Sequence, residues 1–316
     1  MMHLGIRPQN SESLDGFLRR LAVGDFWSDV ADYLGQAGLY YGHRLIESLD
    51  TAAQDLGVEP GTLEAISPRC QSEKPILNWR FERHYSAPIC PKCISEQRPH
   101  QQAWRHAFVT ACTKHDLVLQ DQCPLCSDHL RPGKGGYNTC ACGGSLLHLK
   151  IERASNAELA LSALIAGEMH PSRSCLPPAL AFRAPFDVGE FLFFLAASGA
   201  ASRTGKRGKA VMPKTVGEAQ LFLAEATKLL SVWPAAFQKE ASSRLQHGDQ
   251  SASTAPERLG RWYQRLMRFN HPAYDDFRSI LGEVINGYFD GPHKGAAGQN
   301  SDSSREWIAA AEAARI

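Results

Sequence analysis

C90-P-K-C93, C112-T-K-H115, C123-P-L-C126 and C140-A-C142 place seven of the nine cysteines and one histidine within about fifty residues of chain. A Cys-x-x-Cys turn can aim two thiolates at one ion, and zinc takes four such ligands at roughly 2.0–2.3 Å. Four pairs make two complete tetrahedral sets. Joined in chain order they give Cys90, Cys93, Cys112 and His115 in one set, and Cys123, Cys126, Cys140 and Cys142 in the other. An interleaved arrangement, the first pair joined to the third, fits the spacing too, and His129 stands three residues after Cys126 as an alternative ligand. Either way both sets are closed, with no position left for a substrate water, so the spacing predicts two structural zinc ions per chain. Disulfides fit poorly, since no secretory leader precedes the knuckle-spaced pairs. Cys70 and Cys175 have no partner pair and read as small buried hydrophobes.

The surrounding chain of 316 residues is long enough for two or three domains, and its 43% hydrophobic content can build sizeable cores. A net charge of +1 excludes a globally basic nucleic-acid binder, so any such contact must come from a local patch. No apolar run is long enough to span a membrane; F191-L-F-F-L-A-A-S-G-A200 reads as a buried helix. The expected location is the cytoplasm, close to the nucleoid when active, where thiols stay reduced.

Upstream, Ser11 or Ser13 can cap a helix whose Leu14, Phe17, Leu18 and Leu21 share one face, with Arg19 and Arg20 off it. A second helix is expected over 28–34, ending before Gly35 and Gly38. T51-A-A-Q-D-L-G-V-E-P-G-T-L-E-A-I66 has the small residue, the glycine four positions later and the apolar spacing of a helix-turn-helix-like unit. Such a unit can read a major groove, but its second helix here offers acid rather than base.

Between and after the first two pairs, A103-W-R-H-A-F-V-T-A-C112 and D116-L-V-L-Q-D-Q-C123 suit the strands of a zinc ribbon. Downstream the chain turns helical: N156-A-E-L-A-L-S-A-L-I165, E190-F-L-F-F-L195 and E218-A-Q-L-F-L-A-E-A-T-K-L-L230 offer buried faces. R203-T-G-K-R-G-K209 is a basic, glycine-spaced loop whose Arg203, Lys206, Arg207 and Lys209 can grip phosphates or lie solvated in a linker. Arg258, Arg261, Arg265 and Arg268 follow steps of three, four and three, as on one helical face, with Trp262, Leu266 and Phe269 turned to the core. Such a row can track a phosphate backbone or meet an acidic partner. After a glycine- and serine-rich linker, R305-E-W-I-A-A-A-E-A-A-R-I316 reads like the first helix of another helix-turn-helix. It is either cut short or folded only on a partner.

E12-S-L-D-G-F-L-R-R-L-A22, I89-C-P-K-C93, W104-R-H-A-F-V-T-A-C-T-K-H-D-L-V-L119, C123-P-L-C126, C140-A-C-G-G144 and W233-P-A-A-F237 together resemble the TniQ family over roughly residues 4–290. These are target-selection proteins of transposons, including mercury-resistance and CRISPR-associated elements. The loop between Cys126 and Cys140, with the run PGKGG from Pro132 to Gly136, departs from the family pattern. The resemblance implies a non-catalytic adaptor. It would join a target recogniser, an RNA-guided CRISPR effector complex with its guide RNA or target DNA itself, to an AAA+ ATPase and through it to the transposase. It also leaves room for a homodimer. Arg19, Arg20, Trp104, Arg105 and Lys114, around the first helix and the first zinc set, are the expected partner contacts because Arg and Trp are common interface anchors, with burial beneath the first zinc the alternative for Trp104. A zinc-containing, sequence-specific DNA-binding regulator is the rival reading, and a purely structural zinc scaffold a third. No phosphate loop, nucleophile elbow or open ligand set points to an enzyme.

The expected architecture is mainly α with a small β-containing zinc-ribbon module. A helical N-terminal domain with the helix-turn-helix-like unit spans 1–83 and a double zinc module 84–150. A helical C-terminal domain covers 151–290, and a linker with the start of a helix 291–316.

Overall fold

The computed structural model describes residues 7–42, 45, 48–67, 79–182, 187–197 and 211–290. The chain is mainly helical and its described part clusters into two compact units, Met1–Ser231 and Val232–Ile316. The changes of sequence character near 83 and 150 both fall inside the first unit, and the break at 231 falls inside the downstream helical segment.

Helix α1 (Leu14–Gly24) begins where expected, because the Ser13 hydroxyl accepts the Gly16 N–H at 3.0 Å. Its Phe17, Leu18 and Leu21 are wholly buried. Helix α2 is Val30–Gln36 rather than 28–34, since the Asp29 carboxylate, not Ser28, caps it through the Ala31 N–H. Helices α3 (Leu49–Asp55) and α4 (Thr62–Ala65) follow, joined by a turn in which Gly57 and Gly61 take left-handed φ of 64° and 76°. Leu14, Leu18, Val30, Leu34, Ala53 and Leu63 share one core across these four helices.

The expected helix-turn-helix-like unit is thus present as two helices about a glycine turn, but not as a groove-reading element. Its second helix is a single turn whose Leu63 is buried, so the apolar spacing records packing against α1 and α2 rather than a groove-reading element.

The expected zinc ribbon is likewise not built among the described residues. Strands β1 (Ala111–Cys112) and β2 (Leu117–Val118) form one two-residue antiparallel ladder, supplemented by isolated bridges such as Ile89 to Gln120 and Thr139 to Ser145.

Helix α5 (Pro91–Ser95) starts just after Cys90 and contains Cys93. Helix α6 (Asn156–Ala166) starts at a capping box of Ser155 and Glu158. Its buried Ser162 hydroxyl accepts the N–H groups of Thr110 and Ala111 at 3.3 and 3.1 Å, fixing it to β1. Helices α7 (Pro178–Phe182), α8 (Val188–Ala196) and α9 (Val216–Ser231) complete the first unit. Phe108 stacks on Phe222 of α9 at 5.6 Å, and Phe81 meets Phe108 and Phe193 of α8, so the cysteine-rich segment shares an aromatic core with these helices. The Asp121 carboxylate, accepting the Val216 N–H at 2.8 Å and the Ser86 hydroxyl at 3.0 Å, ties the start of α9 to the same segment.

The second unit holds α10 (Ala235–His247), α11 (Ala255–Leu266) and α12 (Asp275–Asp290). Its core is aromatic: Phe237 contacts Trp233, Trp262 and Phe277 at 5.6, 6.0 and 5.2 Å. W233-P-A-A-F237 therefore contributes to packing. No helix among the described residues is long and apolar enough to cross a membrane, and the apolar run from Phe191 belongs to buried α8.

Candidate metal centres and the surfaces around them

Cys90 precedes α5 and Cys93 lies within it; Cys112 ends β1 and His115 sits in the turn leading to β2. The β1–β2 reversal carries the second pair back over the first. Cys93 Sγ and Cys112 Sγ are 3.8 Å apart, and His115 Nδ1 lies 3.4, 3.3 and 3.7 Å from the sulfurs of Cys90, Cys93 and Cys112. A tetrahedron with zinc-like bonds has edges of about 3.8 Å between sulfurs and about 3.6 Å from sulfur to nitrogen, so these separations fit one ion. With Nδ1 turned to the sulfurs, Nε2–H is left to donate to Glu96 Oε2 at 3.1 Å, the outer carboxylate that commonly orients a ligand histidine.

The second set closes in the same way. Cys123 and Cys142 are 3.7 Å apart and Cys126 and Cys140 3.9 Å, all four sulfurs lying within 4.8 Å of one another. The Leu125 N–H points to Cys123 Sγ and the Gly144 N–H to Cys142 Sγ, both at 3.4 Å. Burial raises the Cys123 thiol, yet N–H groups of Cys126 and Leu125 outweigh it and bring its pKa down to about 7. In the first set the neighbouring sulfurs of Cys112 and Cys93 hold Cys90 low, while Cys112 and Cys90 push Cys93 high. Thiolates this close repel one another, and a bound dication removes the conflict. Among the described residues the pairing is thus in chain order. His129 stands outside the second set, its Nδ1 3.3 Å from the Asp121 carbonyl oxygen.

The family model for TniQ matches residues 3–119. This segment is similar to a TniQ domain. It contains the first ligand set whole and ends at Leu119, ahead of the second. No curated protein matches the chain.

Within the matched segment, three of the five residues expected to meet a partner, Arg19, Trp104 and Arg105, are buried, and the expectation is corrected for those three. Arg19 is 8% exposed: its Nε pairs with buried Asp15 at 2.9 Å, and its terminal nitrogens donate to the Gly136 and Arg131 carbonyls. Trp104 is buried edge-on to His100, and Arg105 is buried on Glu82 at 2.9 Å. Arg20 is partly covered, gripping buried Glu12 and lying over Phe17. The helical spacing placed Arg19 and Arg20 off the α1 apolar face, but a second layer of chain covers that side. Lys114 is exposed and reaches Glu96 at 3.7 Å, beside His115 and Arg98.

Cys175 is half-buried, and Cys70 lies outside the described residues, as do Arg203, Lys206, Arg207, Lys209 and the segment 305–316. The arginine row on α11 is also corrected. Gly260, at φ 55° and ψ −132°, breaks the helix between Arg258 and Arg261, and Arg268 lies beyond its end. Arg258 turns back onto the Tyr288 hydroxyl at 2.6 Å; Arg261, Arg265 and Arg268 are exposed.

Sequence reasoning missed Asp15, Glu82, Arg83 and Glu96. Charged residues are rarely buried and spacing does not mark them, although Glu96, three positions after a ligand cysteine, was in range of the site. Buried Arg83 spans three carbonyls, those of His106, Ala107 and Val109.

Proposed function

We propose that this chain is a non-catalytic adaptor of DNA transposition. It holds two structural zinc ions, on Cys90, Cys93, Cys112 and His115 and on Cys123, Cys126, Cys140 and Cys142. It joins target-site recognition, by an RNA-guided complex or on DNA, to an AAA+ ATPase and so to the transposase. The observation carrying this reading is the TniQ match over residues 3–119, with a closed set of three cysteines and a histidine inside it. Zinc would supply rigidity where short turns replace regular secondary structure, so less conformational entropy is lost when a partner docks. The exposed Lys114 beside the first set remains the candidate contact for an acidic partner patch. The regulator reading gains no support from the first of its two helix-turn-helix-like segments, whose second helix is one turn long.

The test is reconstitution of the zinc-loaded chain with the AAA+ ATPase of the same element, an ATP analogue and target DNA. The chain should retain the ATPase, and Lys114→Glu should weaken retention about ten-fold at low salt while both zinc ions stay bound. A chain that binds a specific DNA site alone and never retains the ATPase would overturn the adaptor in favour of the regulator.

A further inference from the structure

The PGKGG run from Pro132 to Gly136 has a definite place in the fold. It lies in the middle of residues 127–139, a loop whose flanking residues are Cys126 and Cys140 of the second metal set. The Gly133 N–H donates to Asp15 Oδ1 at 2.6 Å, and Arg19 donates to the carbonyls of Arg131 and Gly136 at 3.0 and 2.8 Å. The Gly135 N–H donates to Asp29 Oδ2 at 2.8 Å, and its carbonyl accepts the Val30 N–H at 3.0 Å. One loop thus holds both α1 and α2.

The fit is close. Gly133 has a left-handed φ of +68°, and a β-carbon there would stand 2.1 Å from Tyr41 Cβ. A β-carbon on Gly136 would stand 2.6 Å from the Ser28 carbonyl oxygen.

The two metal sets differ in access. Cys90, Cys93 and Cys112 are 0%, 3% and 2% exposed; in the second set Cys123 and Cys140 are buried too, but Cys142 is exposed and Cys126 half-buried.

We propose that the all-cysteine set is a releasable latch: its metal leaves before that of the histidine-containing set, and its departure frees the 127–139 loop and loosens α1 and α2. This rests on the reading of both sets as zinc sites. A bound ion fixes the two ends of the loop, so the docking glycines are presented with little entropy left to lose. Without it the loop must be ordered from free ends at the expense of the docking bonds. Competing ligands reach an exposed thiolate before a buried one. The histidine-containing set, enclosed by α5 and the β1–β2 turn, keeps its own surroundings folded.

The test loads the full chain with Co2+, whose absorption bands distinguish all-sulfur coordination from sulfur coordination with one nitrogen. The loaded chain is challenged with EDTA while amide hydrogen exchange is followed by mass spectrometry. The all-sulfur bands should decay at least about ten-fold faster than the mixed bands, with exchange rising in Leu14–Gly24 and Val30–Gln36 but not in Pro91–Ser95. Loss of the mixed bands first, loss of both in step, or loss of the all-sulfur bands with α1 and α2 still protected would overturn the latch. In a second arm, Gly133→Ala should speed exchange in α1 and α2 with both ions retained; unchanged exchange in that variant would also overturn it. Should Gly133→Ala fail to fold, the chelation arm on the unmodified chain decides. Uptake of fewer than two ions at the outset would remove the zinc reading, and the latch with it, an outcome distinct from every ordering of release.

Discussion

Asp15 and Gly133, 118 positions apart, are joined by a 2.6 Å hydrogen bond from the glycine N–H to the aspartate Oδ1. The same carboxylate takes the Arg19 Nε–H at 2.9 Å and is itself only 1% exposed. Burial alone would raise its pKa, but Arg19 foremost, with Arg105 and the Gly133 N–H, holds it below 3.8. The carboxylate is therefore ionised, and the first helix is fastened to the second metal region by a buried, fully hydrogen-bonded charge.

Removing one partner of that pair should be costly, because the other charge stays buried. Asp15→Ala or Arg19→Glu should destabilise the zinc-loaded protein by about 3–5 kcal/mol. Lys114→Glu, at an exposed position, should change stability by about 0.5 kcal/mol or less. Urea denaturation of the three variants checks this; an Arg19→Glu protein as stable as the parent would contradict the buried placement.

Metal removal should unfold the cysteine-rich segment. Elemental analysis is expected to find two zinc ions per chain, and structural zinc contributes on the order of 10 kcal/mol or more to folding of the segment that holds it. Cys93→Ser removes a ligand from the buried set and should lower solubility and zinc content together. Cys126→Ser should lower zinc content by one ion with a smaller loss of solubility. Native mass spectrometry showing one ion or none in the folded parent chain would refute the assignment.

Two buried histidines give an acid limit to stability. Burial lowers His100 to about 3 and, with Arg83 nearby, His106 to about 3, against an ordinary value of 6.5. In the folded chain both rings stay neutral, while in the unfolded chain they take up protons below 6.5. Their contribution is fully present above 6.5 and is lost as pH falls from there toward 3. NMR of the ring nitrogens should show no titration of either histidine between about pH 8 and 6, and denaturant stability should fall as the solution is acidified below the ordinary histidine value. An imidazole titrating near that value would show that the ring is accessible to water.

On α11 only the part after Gly260 can present arginines along one face. Arg261→Glu with Arg265→Glu should weaken binding to DNA or an acidic partner about ten-fold at low salt, with little change in melting temperature. Filter binding against ionic strength, beside thermal melts, is the measurement. Unaltered binding to every partner would make the face a solvated one.

The sequence by itself determined the local features. Ligand spacing selected eight residues, because a Cys-x-x-Cys turn reaches one ion whatever surrounds it, and the Ser13 cap with its i, i+3, i+4, i+7 apolar residues located α1 within two residues. Tertiary structure decided everything that depends on what covers a surface. Side-chain type marked Arg19 and Trp104 as candidate partner contacts, and a loop from the far side of the cysteine-rich segment lies over one while His100 packs against the other. The arginine steps described a continuous helix, and the positive-φ kink at Gly260 broke it. The alternatives left open by ligand order were closed by the short β1–β2 reversal, which returns Cys112 and His115 to Cys90 and Cys93. Periodicity records which side of an element is apolar; which polar side is also buried depends on charges that find partners more than a hundred residues away, as Asp15 and Arg19 do.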